Sequence, residues 1–154
     1  MYEGYGQYTF TGTHASRVKE LVGFGFFPRN VDVLLVAPVV GFEYGKRADK
    51  NNQDDDDTKV FLEQLQKADS KLELNYKTIM LLDKEHEPSE EARIKKAFQI
   101  SPKDRDPADL ERYEAYVRGG VDFLYDRIIG KGNTQDERIR ELYDLVDSFA
   151  SRYN

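Results

Sequence analysis

The chain of 154 residues has no cysteine, which excludes a disulfide framework and thiol chemistry and fits a reducing compartment. Long hydrophobic runs are missing too. The longest, Val33 to Phe42, falls well short of the roughly 20 residues a membrane span needs. The beginning MYEGYGQYTF has neither a basic n-region nor an apolar h-region, so neither secretion nor membrane insertion is expected, and the cytoplasm is the default location. Positive charge is in deficit: 23 Lys and Arg stand against 29 Asp and Glu, a net charge of -6. That balance argues against a protein that coats DNA generally and leaves only a local basic face as a route to phosphate.

Recognisable chemistry is equally sparse. Gly23-Phe24-Gly25 fits neither of the glycine-rich phosphate-loop patterns, so a nucleotide cofactor is not expected. His14 and His86 lie far apart without a ligand-spacing pattern and read as surface or helix-end residues. The run Asp54 to Asp57 lacks the alternating ligands and terminal Glu of a calcium loop, and adjacent carboxylates repel and stay solvated. The acidic segment DKEHEPSEE, residues 83 to 91, reads as a solvated helix junction. No metal, cofactor or catalytic residue is therefore assigned.

What the chain does have is aromatic mass and helical periodicity. Ten Tyr and nine Phe supply the apolar area that a chain with 34% charged residues would otherwise lack, so it should fold as one domain. Residues 1 to 12, glycines among aromatics, read as an extended arm, and residues 13 to 154 as a single helical domain. Thr13 is expected to cap a first helix carrying Val18, Leu21 and Val22, with Gly23 and Gly25 as its stop.

The stretch Phe27 to Ala48 is the most apolar. Its β-branched run would suit a buried strand, but Asn30 is a good N-cap, and Val31, Leu34, Leu35, Pro38 and Phe42 follow helical spacing. We therefore expect a helix with Pro38 in its interior, kinked there and leaving the carbonyl of Leu34 without its usual donor. Asp57 or Thr58 should cap the next helix, whose apolar side begins at Val60 and Phe61 and continues through Leu72, Tyr76 and Ile79, with a break at Asp69-Ser70 left open. Pro88-Ser89 should start a charged helix with a stripe of Ala92, Ile94, Ala97 and Phe98.

Asp106-Pro107 opens a long helix with Leu110, Tyr113, Val117, Val121, Leu124 and Ile128 on one face. Gly119 and Gly120 interrupt it at a cost of about 2 kcal/mol in intrinsic propensity, which implies that something approaches the backbone there: another helix of the domain, a partner chain or a ligand. Thr134 and Glu137 stand in capping-box register before a final amphipathic helix. The expected fold is all-α, a bundle of six or seven helices.

Candidate binding residues are basic. Arg17, Lys19, Arg29, Lys46, Arg47, Lys50, Arg93, Lys95, Lys96, Lys103 and Arg105 would form a phosphate-binding face if the fold made them converge, whereas most charged helix faces are only solvated. Arg29, Lys46 and Arg47, at the two ends of the apolar stretch, are the contact residues singled out. The pattern Arg29-Asn30-Val31-Asp32-Val33, then Ala37, Gly41 and Lys46-Arg47, resembles small helical accessory proteins of bacterial DNA phosphorothioation (Dnd-type) and related defence systems. That resemblance implies a noncatalytic binding component that contacts DNA or a partner protein beside DNA-modifying machinery. The alternative is a protein-interaction or inhibitor module, phage-encoded in one version, that binds no nucleic acid and engages a host protein through its acidic surface and Tyr-rich arm. Homo-oligomerisation is compatible with either.

Overall fold

Two glycines in the middle of one helix and one near the end of another decide how the protein packs. The computed structural model describes residues 1–2, 6–51 and 53–154. Among them the chain runs β1 (Gln7–Thr11), α1 (Gly12–Gly23), α2 (Asn30–Glu43), β2 (Asp57–Phe61), α3 (Leu62–Leu82), α4 (Glu90–Phe98), a 3-10 turn (Pro102–Asp104), α5 (Pro107–Ile128) and α6 (Gln135–Ser151). The protein is predominantly helical, and the all-α expectation is corrected by a two-stranded antiparallel sheet, β1 against β2. No helix among the described residues is long and apolar enough to cross a membrane.

The interface of α2 with α5 is the most extensive in the molecule. A methyl group on Gly120 would overlap the backbone of Ala37, one on Gly41 would overlap the Tyr116 carbonyl, and one on Gly119 would overlap the backbone of Lys46 and Arg47. The partner of the glycine pair is thus another helix of the same domain together with the turn that leaves it. Val33, Leu34, Ala37, Val117, Val121 and Leu124 fill the space around the crossing. Both sides of α2 are buried, which explains its nearly uninterrupted apolar sequence.

Pro38 lies inside α2 as the spacing predicts. The carbonyl of Leu35, three residues before it, accepts a hydrogen bond from Asn75 Nδ2 of α3 at 2.8 Å. A side chain from a neighbouring helix thus serves a backbone acceptor in the turn that proline disturbs. Asn30 is the first helical residue rather than the cap, which is Arg29. Its amide donates instead to Thr58 Oγ1 and to the Lys59 carbonyl, at 2.8 and 2.9 Å, and so clips α2 to β2.

Residues 57 to 61, expected to cap and open a helix, are β2, paired with β1 in the register Tyr8↔Val60 and Phe10↔Thr58. Thr58 and Val60 are β-branched and alternate, and Phe10 and Val60 are buried. Of the expected N-terminal arm, residues 3 to 5 lie outside the described residues, and residues 7 to 11 form the strand. The first helix starts at Gly12, before the expected cap at Thr13. α3 runs through Asp69-Ser70 without a break. α4 packs through Arg93 and Ala97, leaving Ile94 and Phe98 of the expected stripe 39% and 62% exposed. The caps at Asp106 and Thr134 form as read, Asp106 accepting from the Ala108 amide and Thr134 with Glu137 completing a capping box.

Replacing a helical glycine by alanine ordinarily gains about 1 kcal/mol. Gly120→Ala should do the reverse and destabilise by about 3 kcal/mol or more, because its methyl meets main chain, which cannot swing aside as a side chain would. Urea unfolding measures this, and a stabilised variant would contradict the close crossing.

Candidate binding cleft

Lys46 and Arg47 leave α2 over the glycines of α5, and their turn is fastened there. The Lys46 amide donates to the Gly41 carbonyl at 2.7 Å, the Ala48 amide to the Ala115 carbonyl at 3.0 Å, and Arg118 Nε to the Ala48 carbonyl at 2.7 Å. Arg29 stands at the other end of α2, whose 14 residues rise about 21 Å, so the three candidate residues do not share one patch. Arg29 is also engaged, bidentate on Asp32 at 3.1 Å for both bonds. Arg47 pairs with Glu85 at 2.9 Å beside the Tyr116 ring. Only Lys46 of the three has no ion pair among the described residues.

Most of the other candidate basic residues are likewise committed. Arg17 pairs with Asp122, Lys19 with Asp56, Lys96 with Asp109 and Arg105 with Glu73. Arg93 is buried and donates to the carbonyls of Leu81, Glu87 and Pro88 at 2.9 Å each, closing the turn between α3 and α4. Of the candidate residues, Lys46, Lys50, Lys95 and Lys103 remain without an ion pair or such a bond among the described residues. Two of these, Lys50 and Lys103, meet at one place.

That place is a cavity of about 600 Å³ lined by all five residues of β1 together with Tyr2, Lys50, Lys103, Glu114 and Arg118, among others. Glu114 is its anchor. Tyr2 Oη donates to Glu114 Oε1 at 2.8 Å and Tyr8 Oη to Oε2 at 2.6 Å, tying the N-terminal segment to α5. Burial pushes the Glu114 carboxyl above the ordinary carboxylate range, against the tyrosine hydrogen bonds and the Arg118 charge, which pull it down. Burial and then the Glu114 charge push both tyrosine hydroxyls well up. Both carboxylate oxygens are occupied and both phenols hold their protons, so the trio works as a tether and offers neither a ready base nor a nucleophile.

Two further acids organise the interior. Asp83, read from sequence as part of a solvated junction, is buried and accepts from Arg112 Nε at 2.7 Å, Tyr116 Oη at 2.8 Å and the His86 amide at 3.1 Å. It locks the end of α3 to α5. Asp122 lies 3.3 Å from His14 Nε2 and accepts from Arg17 at 2.5 Å. Burial raises its carboxyl, but the bonds and charges of His14 and Arg17 outweigh that and hold it below the ordinary range. His14 stands in the first turn of α1, as a helix-end residue, but is only 4% exposed, which corrects its reading as a surface residue. Its ring sits where α1 meets α5, and Asp122 supplies the polar partner burial demands. Asp56 of the acidic run accepts from Ser16 and Lys19 and so docks the run on α1. Among the described residues no group of three or more potential metal-ligating side chains converges.

Glu114 carried a signal that could have been read. It falls four residues after Leu110 and three before Val117, on the apolar stripe of its own helix, where an isolated charge implies a buried partner. The partners, Tyr2 and Tyr8, are more than a hundred residues away and had no local mark.

A raised folded-state pKa means that the folded protein binds more protons than the unfolded chain between the two values, so stability is lost as pH rises through that window. Glu114→Gln should remove this component. Urea unfolding from about pH 5 upward should show a falling stability in the parent that is shallower in the variant, and identical slopes would contradict the assignment. Comparison of the chain with protein-family models, curated proteins and solved structures gives no match.

Proposed function

We propose that this chain is a noncatalytic binding component whose partner is another protein. The observation that carries the reading is a contrast on the surface: most of the candidate basic side chains are ion-paired or hydrogen-bonded within the fold, while apolar ones stand uncovered. On α6, Leu142, Leu145 and Phe149 face the body, and a second stripe, Ile139, Tyr143 and Val146, faces outward at helical spacing. Tyr143 is 72% and Val146 58% exposed. Adjacent exposed apolar side chains on one helix are costly in water and mark contact surfaces. The resemblance over Arg29 to Arg47 supports placing that contact in a prokaryotic DNA-modification or defence setting.

The DNA-contacting version has less support. Phosphate affinity grows with the number of cations that can release counterions, and Arg29 and Arg47 already hold carboxylates at opposite ends of α2. Tagged protein recovered from its native cells should carry a stoichiometric protein partner that Tyr143→Lys/Val146→Lys releases. Fluorescence anisotropy with duplex DNA at about 50 mM salt should show no saturable binding, since electrostatic affinity is greatest there. A steep salt dependence of DNA affinity, lost in the Arg29/Lys46/Arg47 alanine triple variant, would overturn the reading.

A further inference from the structure

The two edges of the small sheet are treated differently. The Gly12 amide donates to the Asp56 carbonyl at 2.9 Å, which sets the parity of the ladder: residues 8, 10 and 12 bond toward β2, and residues 7 and 9 direct their backbone groups the other way. The same parity turns the Lys59 carbonyl outward from β2, and that carbonyl is where Asn30 donates, so the outer edge of β2 is covered by the start of α2. The outer edge of β1 has no such cover. The N–H and C=O groups of Gln7 and Thr9 have no hydrogen-bond partner among the described residues.

The 600 Å³ cavity includes all of β1 in its lining, so there is space beside those unpaired groups. Its charge is selective. Lys50 and Lys103 line it without ion pairs among the described residues, whereas the two acidic residues in its lining are engaged, Glu114 by Tyr2 and Tyr8 and Glu111 by Arg118. An unpaired strand edge is a template for an added strand, with backbone bonds giving affinity and flanking side chains giving preference.

We infer that β1 is a docking edge for an extended, acidic segment of a partner protein, which adds as a third strand and places carboxylates against Lys50 and Lys103. The inference rests on the protein-binding reading and names the occupant of a second contact surface. Five residues of strand cover about 17 Å, so the recognised segment is short. The competing occupant is a second copy of the chain, pairing β1 with β1 across a two-fold axis.

The test uses the full chain, labelled with nitrogen-15, and a short alternating Glu–Val peptide blocked at both ends. Before addition, the Tyr8 and Phe10 amides should exchange slowly with deuterium and the Thr9 amide fast. On addition, the Gln7 and Thr9 signals should shift and Thr9 should become protected. A Lys–Val peptide, and the Glu–Val peptide methylated at alternate amide nitrogens, should each bind at least tenfold more weakly. Lys50→Glu/Lys103→Glu, two exposed positions, should weaken the Glu–Val peptide at least tenfold while leaving unfolding unchanged. Absence of shifts at millimolar peptide, equal binding of the methylated peptide, or a dimer whose Thr9 amide is already protected would each overturn the inference. A cellular partner that Tyr143→Lys/Val146→Lys releases but Lys50→Glu/Lys103→Glu does not, combined with absent peptide shifts, would overturn it while leaving the protein-binding reading in place.

Discussion

The backbone-to-backbone approach of α2 and α5 is the constraint on which the remaining structure depends. Glycine at positions 41, 119 and 120 lets carbonyl groups of both helices and of the turn after α2 occupy the space a side chain would take. The propensity lost by two adjacent glycines, about 2 kcal/mol, is offset by the burial that close contact permits on both sides of α2. Because the turn after α2 lies directly on Gly119, the positions of Lys46, Arg47 and Ala48 are set by the crossing, and Arg118 clamps the last of them.

From that crossing α5 reaches most of the molecule through one buried acid, Asp83, and two half-buried ones, Glu114 and Asp122. Glu114 holds the N-terminal segment through Tyr2 and Tyr8, Asp83 and Arg112 join α5 to the end of α3, and Asp122 meets α1 through His14 and Arg17. The modest apolar content of the chain is thereby supplemented by charge-assisted contacts between elements, each of which leaves a costly orphan if one partner is removed. One of these contacts engages Arg17, and similar pairs engage Lys19, Lys96 and Arg105, so these four candidate cations are not free for phosphate.

Long helices were legible because their signals are local. Asp106-Pro107 and Thr134 with Glu137 announce helix starts within a few residues, and the stripe from Leu110 to Ile128 declares its own face. The strands were not legible. Each has five residues, β1 lies after a glycine-rich segment, and β2 follows an acidic run whose last member reads equally well as a helix cap. Neither strand makes sense without the other, some fifty residues distant. The candidate cleft was hidden for the same reason: Lys50, Lys103, Tyr8 and Glu114 come from four separate parts of the chain. Single basic residues could be named from sequence, but whether each faces a carboxylate or an empty edge is a property of the fold alone.

Native-state hydrogen exchange along the chain tests most directly the claim that the glycine crossing holds the structure together. Amides of α2 near Ala37 and of α5 near Gly120 should exchange only through global unfolding, with a free energy equal to that from urea denaturation, while those of α4 and α6 open at lower cost. Exchange at the crossing through a cheaper local opening, with α4 or α6 more protected than α2 and α5, would contradict the account.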